Sequence, residues 1–303
     1  MTTTRWRDEE THNLEDALAL LLDEVPDEDK NSENYWRNMK TEKAFNENQL
    51  INLNGREIQY NLIKCSYEQI SAGIGPVEDR AVSKSANIIA YFTGSTVKYI
   101  ITQNSRAQKL LRMLLSYTGK NEILEDNYQL TNEFFIWLIS KVYNTENVIE
   151  SDNDDISYLQ LDSIKGFKGD VEDEQTKVSA AGESVMNIIS TLSFLLESKR
   201  LKQIKLDLRY GEHENISLVL KNGSITIDFK SYQGLFERDG EDELLSKLYL
   251  LTYLEILPIL VQEYQSNIDD NIWNNNAYIN FMENIAGTIS EKIKDKVERL
   301  SGY

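Results

Sequence analysis

One short stretch of the sequence combines residue types that could do chemistry. The mostly apolar segment 225–227 is followed at once by Asp228 and, after one spacer residue, by Lys230. Asp207 lies in an earlier segment in which apolar and polar residues alternate, and that pattern predicts a strand whose polar face carries Asp207. These two carboxylates and one ammonium group are the candidate catalytic residues of the chain.

The acid-x-lysine order of Asp228 and Lys230 resembles the core motif of the PD-(D/E)xK nucleases. The resemblance covers only residues 178–264, where a predicted helix, a β-meander and a further helix follow one another as in that family. In the family two acidic residues hold a metal ion, while the lysine polarises water and phosphate. The resemblance therefore implies magnesium-dependent phosphodiester hydrolysis, with Asp207 as the second metal ligand and Glu197 as the acid of the helix.

The predicted strand register supplies an alternative interpretation of the same residues. Asp207 and Asp228 fall on the two outer strands of the meander, with the middle strand between them. Two strand spacings separate them by about 9–10 Å, which is too far for both to bind one ion in a sheet of ordinary twist. The pattern therefore favours an exposed, charged sheet face, and outside the nuclease hypothesis we expect no cofactor and no metal.

The meander that carries these residues has a clear turn signal. Asn222-Gly223 is typical of a two-residue type I′ hairpin loop, which pairs Lys221 with Ser224. This register puts the apolar residues of both strands on one face and predicts Ile216 opposite Phe229. A long apolar helix that begins near residue 239 is predicted to be buried and to bend or end at Pro258.

The whole chain is predicted to be α+β, with antiparallel β-hairpin sheets packed against long helices in two similar-sized lobes or one large domain. We predict an N-terminal helix and acidic linker over 1–33, a hairpin-plus-helix lobe over 34–150, and a lobe with the meander and the buried helix over 151–303. The patterns predict these further elements: an amphipathic helix within 8–25, hairpins around Asn54-Gly55 and Gly94-Ser95, helices over 105–117, 131–143, 178–198 and 278–300, and a strand over 158–167.

Two local clusters of basic residues are candidate nucleic-acid contacts. The first cluster lies on one predicted helix and consists of three residues spaced three apart, Arg106, Lys109 and Arg112. The second cluster contains Lys199, Arg200 and Lys202. Phosphate contacts of this kind would weaken steeply with added salt. The alternative interpretation is a solvated face that balances nearby acids.

Composition limits the class of protein. A formal net charge of −18 disfavours a general nucleic-acid binder and suits a soluble chain with a basic partner. The single cysteine excludes an intramolecular disulfide and indicates a reducing, cytoplasmic setting, while the absence of an apolar signal core or a full membrane span disfavours secretion and membrane insertion. Both histidines, His12 and His213, are predicted to be exposed.

These observations favour a soluble, non-enzymatic interaction or assembly protein that contacts a protein partner, a second copy of itself or nucleic acid. The Asn-, Ile- and Lys-leaning composition suits a bacterium or phage with an AT-rich genome, in which phage-defence or mobile-element components of this kind occur. The magnesium-dependent nuclease and an acidic inhibitor that mimics nucleic acid remain as alternatives.

Overall fold

The computed structural model describes residues 1–25, 35–103, 105–119, 121–150, 158–171, 180–181 and 189–301. The predicted division at 33/34 lies outside these residues, as do most of the acidic linker and the first part of the helix predicted over 178–198. Residues 151–157, next to the other predicted division at 150/151, lie outside them too. The chain forms two compact units, of which the first contains residues 1–127 and 239–249 and the second residues 128–238 and 250–303.

The first unit is built on antiparallel strands with two short helices and the first part of a longer helix. Its described elements are β1 (Thr2–Asp8), α1 (Leu14–Leu22), β2 (Tyr35–Lys43), β3 (Gln49–Leu53), β4 (Arg56–Ile70), a 3₁₀ turn (Glu78–Arg80), β5 (Ala81–Phe92), β6 (Val97–Ile101), α2 (Ala107–Leu114) and β7 (Ile123–Glu125). Within the unit β4 pairs with β2, β3 and β5, β6 pairs with β5 and β1, and β7 pairs with β1.

Both hairpins predicted for this unit are present. Asn54 and Gly55 have φ values of 52° and 75°, the positive pair that a type I′ turn requires, and Leu53 pairs with Arg56 as that turn dictates. The hairpin around Gly94 joins β5 to β6. The prediction of an α+β fold with antiparallel strands is confirmed for this unit.

One hydrophobic core cluster of the first unit lies on the face of its sheet that α1 and α2 cover. The predicted N-terminal helix is confirmed in the shorter span of α1, which buries Leu14, Leu18 and Leu21. Strand β1 precedes it and was not predicted, because Thr2–Asp8 contains more polar than apolar residues. It is nevertheless almost wholly buried, because it lies between β6 and β7.

The second unit combines a further antiparallel sheet with longer helices. Its described elements are α3 (Asn132–Tyr143), β8 (Val148–Ile149), β9 (Leu159–Val171), β10 (Ala180–Ala181), α4 (Ile189–Glu197), β11 (Ser198–Tyr210), β12 (His213–Lys221), β13 (Ser224–Ile227), α5 (Glu241–Leu251, shared with the first unit), α6 (Leu257–Asp269) and α7 (Asn275–Ser301). In this sheet β9 pairs with β8, β10 and β11, and β12 pairs with β11 and β13.

The predicted meander register is confirmed around its turn and wrong beyond it. Lys221 pairs with Ser224, although only Gly223 of the two loop residues has a positive φ, at 74°, so the turn is not type I′. The predicted pairing of Ile216 with Phe229 does not form. Strand β13 ends at Ile227, and the chain returns to β12 through an isolated bridge between Asn215 and Gln233.

Pro258 does not end the helix, which runs on to Asp269, so this part of the prediction is wrong; the bend at Pro258 stays a prediction. A π-helical segment, Thr252–Ile256, connects α5 to α6, and the backbone N–H of Leu257 donates to the carbonyl oxygen of Thr252. Proline lacks an N–H and its ring clashes with the carbonyl four residues earlier in an ordinary α-helix. The wider π turn directly before Pro258 lets the helix continue to Asp269.

The helical span Glu241–Asp269 is the one span in the described residues that is long and apolar enough to cross a membrane. Within its most apolar window 67% of the residues are buried in the protein. A core helix of a soluble protein has the same properties, so the span is consistent with a soluble chain.

Candidate functional site

Two of the three predicted catalytic residues, Asp207 and Asp228, lie on one face of the second sheet. Asp207 in β11 lies directly opposite Ser217 in β12. The backbone N–H of Asp228 donates to the carbonyl oxygen of the same Ser217, at 3.0 Å. The two carboxylate residues therefore flank the middle strand, as the sequence predicts.

Each of the two carboxylates has a lysine as its neighbour. Lys165 Nζ lies 3.3 Å from Asp207 Oδ2, and Lys205 Nζ lies 3.9 Å from Asp228 Oδ2. The Asp228 side chain is 44% exposed, so solvent screens its interaction. The two acids therefore belong to two separate cross-strand ion pairs.

The same sheet carries a third ion pair, in which the Arg209 guanidinium makes two-pronged contact with the Asp162 carboxylate, with Nη2 2.6 Å from Oδ1. Lys230 is exposed in the turn that follows β13, and its backbone N–H donates to Asp228 Oδ1 at 3.3 Å. No group of three or more His, Cys, Asp and Glu side chains suited to a metal ion occurs in the described ranges. This arrangement has the character of a charge-paired sheet surface.

The first predicted basic cluster divides into three different environments. Lys109 Nζ lies 4.5 Å from the centre of the buried Trp36 ring, in a cation–π contact. Arg112 Nε lies 3.9 Å from Glu122 Oε2. Arg106, at the start of α2, lines an open cleft.

The second predicted basic cluster lies at the beginning of β11. Arg200 and Lys202 are exposed there. The side chain of Lys199 lies outside the described part of the structure.

The cleft beside Arg106 collects polar and cationic groups from several elements, and we call it the basic cleft. Its volume is about 400 Å³. Strands β4 and β5 supply its floor, because Tyr67 and Lys84 lie directly opposite each other and so share a face. The lining residues are Tyr67, Gln69, Lys84, Gln103, Ser105 and Arg106.

The electrostatic character of the basic cleft is positive. None of its described lining residues is acidic, and neither Lys84 nor Arg106 has an ion-pair partner among the described residues. Arg106 is also the N-cap residue of α2 and gives that helix no side-chain cap, so the positive end of the helix adds to the charge of the cleft.

Tyr67 and Gln103 form the polar wall of the basic cleft. The Gln103 side-chain amide donates to the Tyr67 hydroxyl. Burial raises the pKa of the Tyr67 phenol, while this hydrogen bond and the charge of Arg106 act in the opposite direction. The phenol therefore remains protonated at neutral pH and can serve as a hydrogen-bond donor.

A second, smaller cleft of about 280 Å³ lies on the opposite face of the β4–β5 pair. Ser66, Ser85 and Asn87 contribute to it, and these alternate along their strands with residues that face the basic cleft. The remaining lining residues are Lys40, Thr41, Glu42, Lys64 and Cys65. Lys64 forms an ion pair with Asp242, with Nζ 2.7 Å from Oδ2.

Sequence reasoning found Arg106 and missed Lys84, Gln69 and Ser105. It predicted only the last part of β5 as a strand, and residues 71–80, which connect β4 to β5, contain no two-residue hairpin signal that fixes a register. The sequence therefore offers no local signal that places Lys84 beside Tyr67.

The predicted exposure of His213 is wrong. His213 is 6% exposed, not a surface residue, and its Nδ1 atom lies 2.7 Å from the Tyr232 hydroxyl. The ring also contacts Phe236 edge to face. Burial lowers the pKa of His213 to about 4, so the imidazole is neutral at physiological pH.

Comparison with known proteins adds no functional information. No protein-family model matches the chain, and no curated protein matches it.

Proposed function

We propose that this protein is a non-enzymatic interaction and assembly protein that binds an acidic segment of a protein partner in the basic cleft. The observation that carries the proposal is the convergence of Lys84 and Arg106 on one cleft that has no acidic lining residue. In a chain with a net charge of −18, two such cations are expected to attract acidic neighbours. A cleft that keeps them free is suited to an acidic group supplied from outside.

The chemistry of the basic cleft supports binding more than catalysis. Among its described lining residues the titratable groups are Tyr67, Lys84 and Arg106, and none of these is a carboxylate, a thiol or an imidazole. A general acid or base works best with a pKa near the operating pH, whereas Tyr67 is shifted away from it. The hydroxyl, amide and cationic groups are donors that suit a carboxylate.

An acidic polypeptide suits the cleft better than a nucleic-acid strand. The aromatic rings next to it, Trp36 and Tyr67, are 1% and 4% exposed, so they offer no face on which bases could stack. The net charge of −18 also repels a polyanion more strongly than a short segment with two or three carboxylates. These two properties favour a protein partner.

Titration calorimetry with poly-L-glutamate at low salt tests the proposal. We expect the double variant Lys84→Glu/Arg106→Glu to bind at least about tenfold more weakly than wild type, because two charge contacts become repulsions. The matched control is Lys43→Glu/Lys168→Glu, which makes the same change in net charge at two exposed sites outside the cleft.

Two results would overturn the proposal. Equal binding of poly-L-glutamate by wild type and the cleft variant would remove the cleft as a binding site. Tighter binding of a single-stranded oligonucleotide, lost in the same variant, would show that the cleft serves nucleic acid instead of a protein.

The proposal includes a cytoplasmic setting in a bacterium or phage and a role as one component of a larger assembly, such as a phage-defence or mobile-element complex. The single cysteine, which is buried, and the Asn-, Ile- and Lys-leaning composition support this setting. Purification from the native host followed by mass spectrometry should recover the partner with wild type and not with the cleft variant. If a nucleic-acid-binding protein is recovered equally with wild type and with the cleft variant, the result would instead support the alternative of an acidic inhibitor that mimics nucleic acid.

A further inference from the structure

Among the residues that the structure describes, no strand covers the edge of β5 next to the basic cleft. Strand β6 pairs with β5 only as far as Ile88. One further contact follows, in which the Thr102 N–H donates to the Asn87 carbonyl at 2.9 Å and the Asn87 N–H donates to Thr102 Oγ1 at 2.8 Å. The chain then leaves the sheet towards α2. Both backbone groups of Asn87 therefore point towards the side that β6 occupies.

The alternation of an antiparallel strand extends this orientation along β5. If Asn87 directs its N–H and C=O away from β4, then Ser85 and Ser83 do the same, because the two sides alternate residue by residue. Both serines are exposed. Within the described ranges their outward backbone groups have no hydrogen-bond partner. Two successive rungs of a ladder are thus available beyond the end of β6.

The two faces of this free edge differ in chemistry. Lys84 lines the basic cleft together with Gln103 and Arg106. Ser85 lies on the opposite face, where it lines the smaller cleft. A strand added along this edge would place alternate side chains in the two clefts, since successive side chains of a strand point to opposite faces.

We propose that the free edge of β5 accepts an extended strand from the protein partner, and that acidic side chains at alternate positions of this strand enter the basic cleft. The inference rests on the proposed function and adds how the partner binds. Backbone hydrogen bonds to Ser83 and Ser85 give the affinity, and the charges of Lys84 and Arg106 select acidic residues. Nucleic acid has no alternating N–H and C=O groups that could continue this ladder.

A second copy of the chain fits this edge poorly. Antiparallel pairing of two β5 edges across the segment 83–85 would bring Lys84 of one copy close to Lys84 of the other. Like charges directly opposite each other destabilise a pair of strands, and lysine is a common device against such edge-to-edge pairing. A partner strand with carboxylates at these positions turns the same contact into an attraction.

The variant Ser85→Pro separates the backbone contact from the charge contact. The backbone N–H of Ser85 faces away from β4. Proline at this position therefore leaves the β4–β5 hydrogen bonds intact and removes one donor from the edge of β5. The probe is an octapeptide of alternating Glu and Val with a fluorescein label at its N-terminus, and its binding is measured by fluorescence anisotropy. We expect about tenfold weaker binding by Ser85→Pro and by Lys84→Glu/Arg106→Glu. Inorganic tripolyphosphate, which has no peptide backbone, should bind Ser85→Pro as it binds wild type.

The outcomes separate the two proposals. Octapeptide binding that is weakened by Lys84→Glu/Arg106→Glu and unchanged by Ser85→Pro would overturn the strand inference alone. If wild type and Lys84→Glu/Arg106→Glu bind the octapeptide equally well, and bind tripolyphosphate equally well, the proposed function itself is overturned.

A pair of modified peptides tests the inference even if Ser85→Pro unfolds. One octapeptide carries N-methyl groups on all valines and the other on all glutamates. In an added strand only one of these two sets of amides faces β5, so one peptide should bind at least about tenfold more weakly than the other. Equal affinity of the two peptides would overturn the strand inference.

Discussion

The Tyr99 hydroxyl lies 2.6 Å from Asp8 Oδ2, and both residues are fully buried in the first unit. Thr11 donates to the same oxygen from its hydroxyl, also at 2.6 Å, and Tyr117 contacts both carboxylate oxygens. Burial, followed by the charge of Asp8, raises the pKa of Tyr99 well above its ordinary value. This network ties the end of β1 to β6.

Removal of the Tyr99 hydroxyl should weaken the first unit. We expect Tyr99→Phe to lower the free energy of unfolding by about 1.5–3 kcal/mol, since the lost hydrogen bond is made to a buried charged group. Urea denaturation followed by circular dichroism measures the change. The matched control is Tyr158→Phe, whose side chain is 56% exposed and which should change the free energy by less than about 0.5 kcal/mol. Equal effects of the two variants would contradict the structural role of the Asp8–Tyr99 contact.

His213 should make the stability of the second unit depend on pH. Its pKa is lowered from 6.5 to about 4, so the unfolded chain binds a proton between these values and the folded chain does not. Stability is therefore complete above about pH 6.5 and falls as the pH drops towards 4. We expect a loss of about 2 kcal/mol between pH 7.5 and pH 5.

The variant His213→Gln supplies the control for this pH dependence. Its urea midpoint should change less between pH 7.5 and pH 5 than that of wild type, because the titrating group is gone. His12 is exposed and present in both proteins, so it contributes equally to both measurements. The same pH dependence in both proteins would show that His213 is not its source.

The nuclease hypothesis has a direct test at Asp228. Because Asp207 and Asp228 are each next to a lysine, we expect wild-type protein with Mg²⁺ or Mn²⁺ to leave single-stranded and double-stranded DNA and RNA uncut. Gel electrophoresis after prolonged incubation measures the outcome. Metal-dependent cutting that disappears in Asp228→Ala and persists in Asp162→Ala would establish the nuclease and overturn the non-enzymatic proposal.

The two halves of α7 should contribute very differently to stability. Ile285 is fully buried, whereas Ile293, further along the same helix, is 50% exposed. We expect Ile285→Ala to cost about 2–4 kcal/mol and Ile293→Ala less than about 0.5 kcal/mol, because only the first substitution leaves a cavity. A large cost at both positions would mean that the end of α7 is covered in solution, and sedimentation of wild type at several concentrations would then show whether a second copy covers it.

Local signals in the sequence determined the parts of the fold that depend on neighbouring residues. Asn54-Gly55 and Asn222-Gly223 fixed the pairing of the strands that they connect, because a two-residue loop leaves one register in which the apolar side chains share a face. The same alternation predicted that Asp207 and Asp228 flank the middle strand. Helix periodicity likewise predicted α3 and α7 within a few residues of their bounds, whereas α1 is shorter than the span predicted for it.

Only the tertiary structure decided where the candidate binding residues meet. The register between β4 and β5 spans the connection 71–80, and it places Lys84 opposite Tyr67. The start of α2 then brings Arg106 to the same cleft. These contacts join residues distant in sequence, so no local propensity encodes them. The sequence likewise could not show that β6 ends before it reaches residues 83–85 of β5. Whether an edge is covered depends on where the neighbouring strand ends, and that is fixed by tertiary packing.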